Sequence, residues 1–221
     1  MYIHHLTARD HQVVATIEHF RQVSSHQLER LHFADGSEAS RGVRCRRTLI
    51  RLIRWQLVKR LERSIGGGPG GSEGYIYIPV GSTMRAPNPH TLDITELYVR
   101  LHEAGDVVFE PEPYCHQRVG ERTLKPDAYV VVDDKRWHLE VDRGTEWPAQ
   151  IRAKLNLHLY AWEHWPDERF PRVLFVVAQG SYAPARKRLI ERQIASLSPE
   201  DQEPFAVCLF DDALSLMTLH S

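Results

Sequence analysis

Two short runs rich in β-branched and aromatic residues, Ala128 to Val132 and Trp137 to Val141, flank the polar tetrad Asp133-Asp134-Lys135-Arg136. Few folds suit such a pattern, because two apolar strands separated by a handful of turn-forming residues pair back on each other as a tight hairpin. With Asp134-Lys135 at the centre of the turn, Val132 opposes Trp137, Tyr129 opposes Glu140 and Asp127 opposes Asp142. Opposed residues share a face, so Asp127, Glu140 and Asp142 project from one side at one end of the hairpin. Cross-strand neighbours lie about 5 Å apart at Cβ and diagonal ones about 7 to 8 Å, a range at which three carboxylates repel one another. A divalent cation, a nearby Lys or Arg, or a raised pKa on one acid relieves that repulsion. Oxygen ligands of this kind favour Mg2+ or Mn2+ over zinc. Hairpins commonly carry acids on a solvent face, and Asp133 and Asp134 need no other explanation. Glu140 and Asp142 differ, since they interrupt an apolar strand just before Gly144.

The next segment opens with Trp147-Pro148, and a proline in the first turn marks a helix. Ile151, Leu155, His158 or Leu159, and Trp162 would cover the sheet, with Gln150 and Lys154 one turn apart near the helix start. Lys154 can reach over the carboxylates, although an exposed lysine is the commoner outcome at such a position. Around this core the pattern alternates. It gives a helix from Thr91 to Glu103, strands near Val107 to Phe109 and Tyr114 to Arg118, a buried strand from Val173 to Ala178 and a helix from Pro184 to Leu197. A strand from Phe205 to Phe210 and a short helix capped by Asp211 follow. The triplet Arg186-Lys187-Arg188 fits a solvated helix face better than a ligand contact.

The first 80 residues are organised differently. Thr7 and Asp10, then Ser24 and Gln27, have the spacing of helix N-caps, each followed by an apolar stripe: Val13, Val14, Ile17 and Phe20, then Leu28 and Leu31. A longer helical segment, Arg41 to Leu61, has Val43, Ile50, Ile53 and Leu57 as apolar residues. Arg44, Arg47, Arg51 and Arg54 recur on it at spacings of three and four, which makes one continuous basic stripe that Arg41 extends toward the N-terminus. Arg46 and Lys59 are further candidate DNA contacts. Strand-like runs Leu57 to Leu61 and Tyr75 to Ile78 enclose a segment with six glycines between Gly66 and Gly74. Three helices followed by a hairpin is the order of a winged helix-turn-helix, whose third helix enters the major groove of double-stranded DNA. A solvated face is the usual explanation of a charge run, but this one lacks interleaved glutamates and falls at the recognition position. A winged helix that binds protein is the remaining alternative. Winged-helix proteins also suggest a homodimer by analogy, although no heptad marks a self-association surface.

The charge distribution agrees with this division. Residues 1 to 80 hold twelve Lys and Arg against seven Asp and Glu, whereas the remainder holds sixteen against twenty-two. A basic front half suits a polyanion, and an acidic back half needs a cation or local basic residues to approach one. The breakers Gly81, Pro87 and Pro89 place a linker at 81–89 between domains 1–80 and 90–221. Three widely spaced cysteines, none in a CxxC pair, suggest neither a disulfide framework nor cysteine-bound zinc. The longest apolar run is far short of a membrane span and the N-terminus has no signal-peptide core, so a cytoplasmic location without membrane contact is expected.

The stretches Leu6 to Phe20, His26 to Phe33 and Arg44 to Leu61, and above all KPDAYVVV from Lys125 followed by HLEVDRGTE from His138 and the helix with Lys154 and Tyr160, resemble the replication-relaxation family of plasmid and mobile-element proteins. The resemblance covers nearly the whole chain and implies a role in DNA relaxation, replication or mobilisation, alongside other proteins of those processes. The C-terminal block also resembles the PD-(D/E)xK nuclease superfamily, with Pro126-Asp127 as the first element and Glu140 as the second acid. That resemblance implies an α/β (α+β) mixed sheet flanked by helices and a Mg2+- or Mn2+-dependent nick or cut of DNA. Asp127, Glu140 and Asp142 would be the metal-binding acids. Asp142 stands where the nuclease lysine is expected, and Lys154 is the candidate for a lysine that has migrated to the following helix. Glu96 is a candidate additional acid, and Lys125 a phosphate contact. The alternative is a catalytically inactive DNA-binding accessory factor or repressor.

Overall fold

The structure is a computed structural model that describes residues 6–63, 74–167 and 169–218. The glycine-rich segment enclosed by the two expected strands lies, apart from Gly74, outside the described residues. The protein is a mixed α/β chain that divides into two compact units, residues 1–103 and 104–221.

In the first unit, α1 (Ala8–Phe20) and α2 (Ser25–His32) begin at the two expected caps. Thr7 Oγ1 accepts the Asp10 amide at 3.2 Å while Asp10 Oδ2 accepts the Thr7 amide at 2.9 Å, and Ser24 and Gln27 exchange the same pair of bonds. The strand β1 (Val23–Ser24) lies between them, and α3 (Glu38–Arg54) follows. A turn with Gln56 at φ 58° ends α3 and starts β2 (Val58–Arg63), so the helix stops short of the expected Leu61. With β3 (Tyr75–Pro79) these strands form a sheet in the order β1-β3-β2. The side of α3 that packs inward is Cys45, Thr48, Leu49 and Leu52, whereas Ile50 is 52 % exposed. The inward set recurs at helical spacing and is buried, as are Val13, Ile17, Leu28 and Ile76 of the same unit.

The helix α4 (Pro89–Ala104) belongs to this unit as well. The Phe20 and Tyr98 rings lie 4.7 Å apart, Gln27 Nε2 donates to the Leu92 carbonyl at 3.0 Å, and Arg30 Nη1 meets Glu96 Oε1 at 2.6 Å. The division therefore falls after α4, while the breakers at 81–89 mark only a bend in the chain before it. Glu96 also accepts from Gln27 and Arg100, so three partners from within this unit hold it.

The second unit runs β4 (Val108–Pro111), β5 (Gln117–Val119), β6 (Arg122–Leu124), β7 (Ala128–Val132), β8 (Lys135–Asp142), α5 (Pro148–Glu163), β9 (Arg172–Val177), α6 (Ala183–Ala195), α7 (Pro199–Gln202), β10 (Phe205–Leu209) and α8 (Ala213–Thr218). Five strands make one sheet in the order β10-β9-β8-β7-β4. Pairing is antiparallel from β4 through β7 to β8, and parallel from β8 through β9 to β10. The expected strand Tyr114 to Arg118 is shorter and pairs with β6 as a separate hairpin.

The β7–β8 hairpin forms, but in a different register from the one read above. Val132 pairs with Lys135, Val130 with Trp137 and Ala128 with Leu139, which centres the turn on Asp133-Asp134. Both have positive φ, 48° and 60°, as a two-residue type I′ turn demands. Aspartate enters that left-handed region more readily than lysine, so the turn excludes Lys135 from its centre. The shift is two residues, and side chains alternate with a period of two, so every residue stays on its expected face. Only the partners change: Asp127, whose amide donates to the Leu139 carbonyl at 2.9 Å, now stands across from Glu140 instead of Asp142. Replacing Asp133-Asp134 by Asn-Gly is expected to stabilise the unit by about 1 kcal/mol, because glycine carries no left-handed penalty. Urea unfolding midpoints check this, and a lower midpoint would count against the turn assignment.

Candidate functional site

The basic stripe divides by what each arginine touches. Arg44 Nη1 meets Asp35 Oδ2 at 2.6 Å and also bonds the Asp35 carbonyl, and Arg41 Nε donates to the Gly36 carbonyl at 3.1 Å. Arg51 Nη2 meets Asp10 Oδ1 at 2.5 Å, and its guanidinium lies 5.4 Å from the Trp55 ring centroid. Asp10 is buried, which by itself would raise its pKa, but the Thr7 amide and Arg51 hold the carboxyl below its usual value. Arg44 and Arg51 thus pin α3 to α1 and the loop before α3. Arg46, Arg47, Arg54 and Lys59 are exposed and have no ion-pair partner among the described residues.

In the second unit, one face of β8 carries His138, Glu140 and Asp142 in register with Val173, Phe175 and Val177 of β9. Ile151 and Leu155 of α5 and Ile190 of α6 pack on the same core, so the helices cover the acids. Lys154 and His158, one turn apart on α5, reach Glu140 from above. Lys154 Nζ lies 2.9 Å from Glu140 Oε2, and His158 Nε2 lies 2.8 Å from Glu140 Oε1. A carboxylate only accepts, so His158 Nε2 carries the hydrogen. Lys154 Nζ also meets Glu146 Oε1 at 2.8 Å, and Asp127 Oδ2 accepts the Val141 amide at 2.6 Å.

Burial by itself pushes the Glu140 carboxyl up, but the His158 hydrogen bond and the Lys154 charge outweigh it and hold Glu140 below its ordinary value. Burial pulls Lys154 down, while Glu140, Asp127 and Glu146 push it well above its ordinary value, so it remains cationic. His138, beside His158 at 5.7 Å between ring centroids, is driven down to about 3 by burial and by its neighbour. The unfolded chain takes up that proton near pH 6.5, so between these values it binds more protons than the fold. Stability is therefore expected to fall as pH drops from 6.5 toward 3, and Glu140 adds to the loss below 4.5. A His138→Phe variant should show a flatter dependence of thermal midpoint between pH 7 and 4, and parallel curves would exclude His138 as a cause.

Asp142 is engaged differently. Arg186 of α6 grips it with both nitrogens, Nε to Oδ1 at 2.8 Å and Nη2 to Oδ2 at 2.6 Å, and the Gly144 amide donates to Oδ1 at 2.5 Å. The acids around Lys154 are therefore Glu140 and Glu146 in contact and Asp127 close by. Among the described residues no three His, Cys, Asp or Glu side chains converge as a metal cluster. Lys125 is exposed beside the site. Sequence reasoning missed Glu146, placed His158 only as a candidate sheet-covering residue, and put Arg186 on a solvated face, whereas it is buried against Asp142. His158 could have been found, since it follows Lys154 by four and Ile151 by seven on the covering helix. The cysteines are free and buried, their thiols pushed up to about 12 by burial, and they serve as core packing.

These features define a mixed α/β protein with a buried carboxylate–lysine–histidine cluster on the helix-covered face of its larger sheet. A family model described as replication-relaxation matches residues 14–78 and 81–173, and the chain belongs to that family. The matched segments contain Asp127, Glu140, Lys154 and His158, while Arg186 lies beyond them. No curated protein matches the sequence. No helix among the described residues is long and apolar enough to cross a membrane.

Proposed function

We propose that this chain binds double-stranded DNA in the replication, relaxation or mobilisation of a plasmid or mobile element, and that its second unit nicks or cuts that DNA. The convergence of Lys154 on Glu140, across the strand pair from Asp127, is the observation that carries the nuclease reading. A migrated lysine was expected on this helix, and its ammonium lies 2.9 Å from the acid. The sheet order, with antiparallel β4, β7 and β8 followed by parallel β9 behind α5, supports a PD-(D/E)xK-like core. The first unit supports a winged helix-turn-helix through its three helices, paired β2 and β3, and the exposed cations of α3.

The donor chemistry suits Mg2+ or Mn2+: Asp127 and Glu140 carry hard carboxylate oxygens at facing positions of the strand pair, and such ions take one or two carboxylates while keeping several waters. Both Glu140 oxygens are in contact with Lys154 and His158, so an ion would share them. A bound ion would polarise the scissile phosphate and lower the pKa of an attacking water. Lys154 would stabilise negative charge developing at the phosphate, with Glu146 as a second carboxylate in contact with its ammonium. His158 orients Glu140. Asp142, whose oxygens are occupied by Arg186 and Gly144, buckles β8 to α6.

That same occupancy favours a second reading, in which no lysine follows Glu140 at the nuclease position and the chain is a binding accessory factor or repressor. Supercoiled plasmid incubated with the protein and Mg2+ or Mn2+ tests both. Native protein is expected to produce nicked or linear plasmid, while Asp127→Ala, Glu140→Ala and Lys154→Ala lose at least about a hundredfold in rate, in the range of one electrostatic contact. DNA binding without cutting by any form would establish the accessory role.

A further inference from the structure

A cleft of about 840 Å³ opens in the second unit at the start of the parallel strands. Its walls carry Arg136, Arg169 and Arg172 beside Trp137, Trp162 and Phe170. Trp137 and Arg172 are direct partners in the first rung of β8 and β9, whereas Glu140 pairs with Phe175 and Asp142 with Val177. At roughly 3.3 Å per residue, the acids lie about 10 and 17 Å further along the strand. This cleft therefore lies toward the other end of β8 from the acids and is not the site described above.

Its composition is unusual for a surface of an acidic half-chain. Lys135 adds a fourth cation, and Asp134 and Glu203 are the acids of its lining. Arg169 and Arg172 have no carboxylate partner among the described residues, and Arg136 makes only a 3.7 Å contact with Asp167 between two exposed side chains. Arg172 is held instead by its guanidinium lying 5.3 Å from the Trp137 ring centroid. The Trp137 indole N–H is buried with no acceptor among the described residues, so the wall itself leaves a donor unsatisfied. Guanidinium groups recognise phosphate, and half-buried aromatic rings offer a stacking platform to any base. The volume lies within the roughly 300 to 1,000 Å³ range of small-ligand sites.

We propose that this cleft binds a nucleotide unit, with its base against Trp162 and Phe170 and its phosphate on Arg136, Arg169 and Arg172. A single DNA strand and a free nucleotide present the same chemistry. The test uses the full chain, following tryptophan fluorescence on titration with a ten-residue oligothymidylate and, separately, with thymidine monophosphate. Oligothymidylate is expected to change the emission and to bind at least tenfold more weakly to an Arg169→Glu/Arg172→Glu variant. Its salt dependence should flatten by roughly 0.7 for each phosphate that the cleft no longer neutralises. Binding of the monophosphate alone, with the same sensitivity to the variant, would assign the cleft to free nucleotides. Both altered arginines are exposed, and an unchanged near-ultraviolet circular dichroism spectrum verifies the fold. Binding equal in native and variant protein, or none of either ligand, overturns the proposal. So does strand binding that an Arg46→Ala/Arg47→Ala change abolishes while the cleft variant retains it. Plasmid cutting and duplex binding are read separately, and neither outcome depends on this cleft.

Discussion

An Arg186→Ala protein should lose about 3 to 5 kcal/mol from the stability of the second unit, the range expected when one partner of a buried ion pair is removed. Asp142 and Arg186 are 3 % and 8 % exposed, and the pair is bidentate. Truncating the arginine leaves a carboxylate in a dry interior with only the Gly144 amide to satisfy it. The loss reflects that stranded charge rather than the net worth of the pair, so an Asp142→Leu/Arg186→Met double variant should recover most of it. Urea unfolding followed by tryptophan emission reports mainly on this unit, which holds Trp137, Trp147, Trp162 and Trp165 against Trp55 in the first. A single-variant loss below about 1 kcal/mol, the range of an exposed pair, would show that the contact is not a buried one. The same result would reopen a catalytic assignment for Asp142, since its oxygens would then be available.

The second large effect concerns α3. Changing Arg46, Arg47 and Arg54 together to alanine should weaken duplex DNA binding by roughly a hundredfold at low salt and flatten its salt dependence by about 0.9 for each phosphate left without its arginine. These three are exposed and unpaired among the described residues, so their removal should leave the urea midpoint of the first unit unchanged. Arg44 and Arg51 are unsuited to the same experiment. Arg51→Ala would strand Asp10, which is 1 % exposed and caps α1, and weaker binding would then be confounded by damage to the fold. Duplex affinity measured by anisotropy at several salt concentrations checks the triple variant. Unchanged affinity and slope would remove α3 from the DNA-binding surface.

Local chemistry made much of this legible in advance. The Thr7 and Ser24 caps were readable because each bond spans three residues and needs no distant partner. The shared face of Asp127, Glu140 and Asp142 followed from strand alternation, which survives a two-residue slip. The register did not follow, because it depends on which pair of turn residues tolerates positive φ, and Asp133-Asp134 and Asp134-Lys135 look alike until the backbone is built. The buried side of α3 was also hidden: Cys45, Thr48, Leu49 and Leu52 compete with an equally periodic set that is more apolar.

Residue order thus inscribed the features that one helical turn or one strand carries by itself: caps, alternation, the basic spacing on α3, and the placing of Lys154 on the helix after the acids. Assigning Asp142 to Arg186, 44 residues away, and α4 to the first unit required the folded chain. The reason is physical. Periodicity encodes which side of an element is apolar or charged, but the partner of a buried charge is chosen by which elements pack together, and that choice is made by the whole core at once.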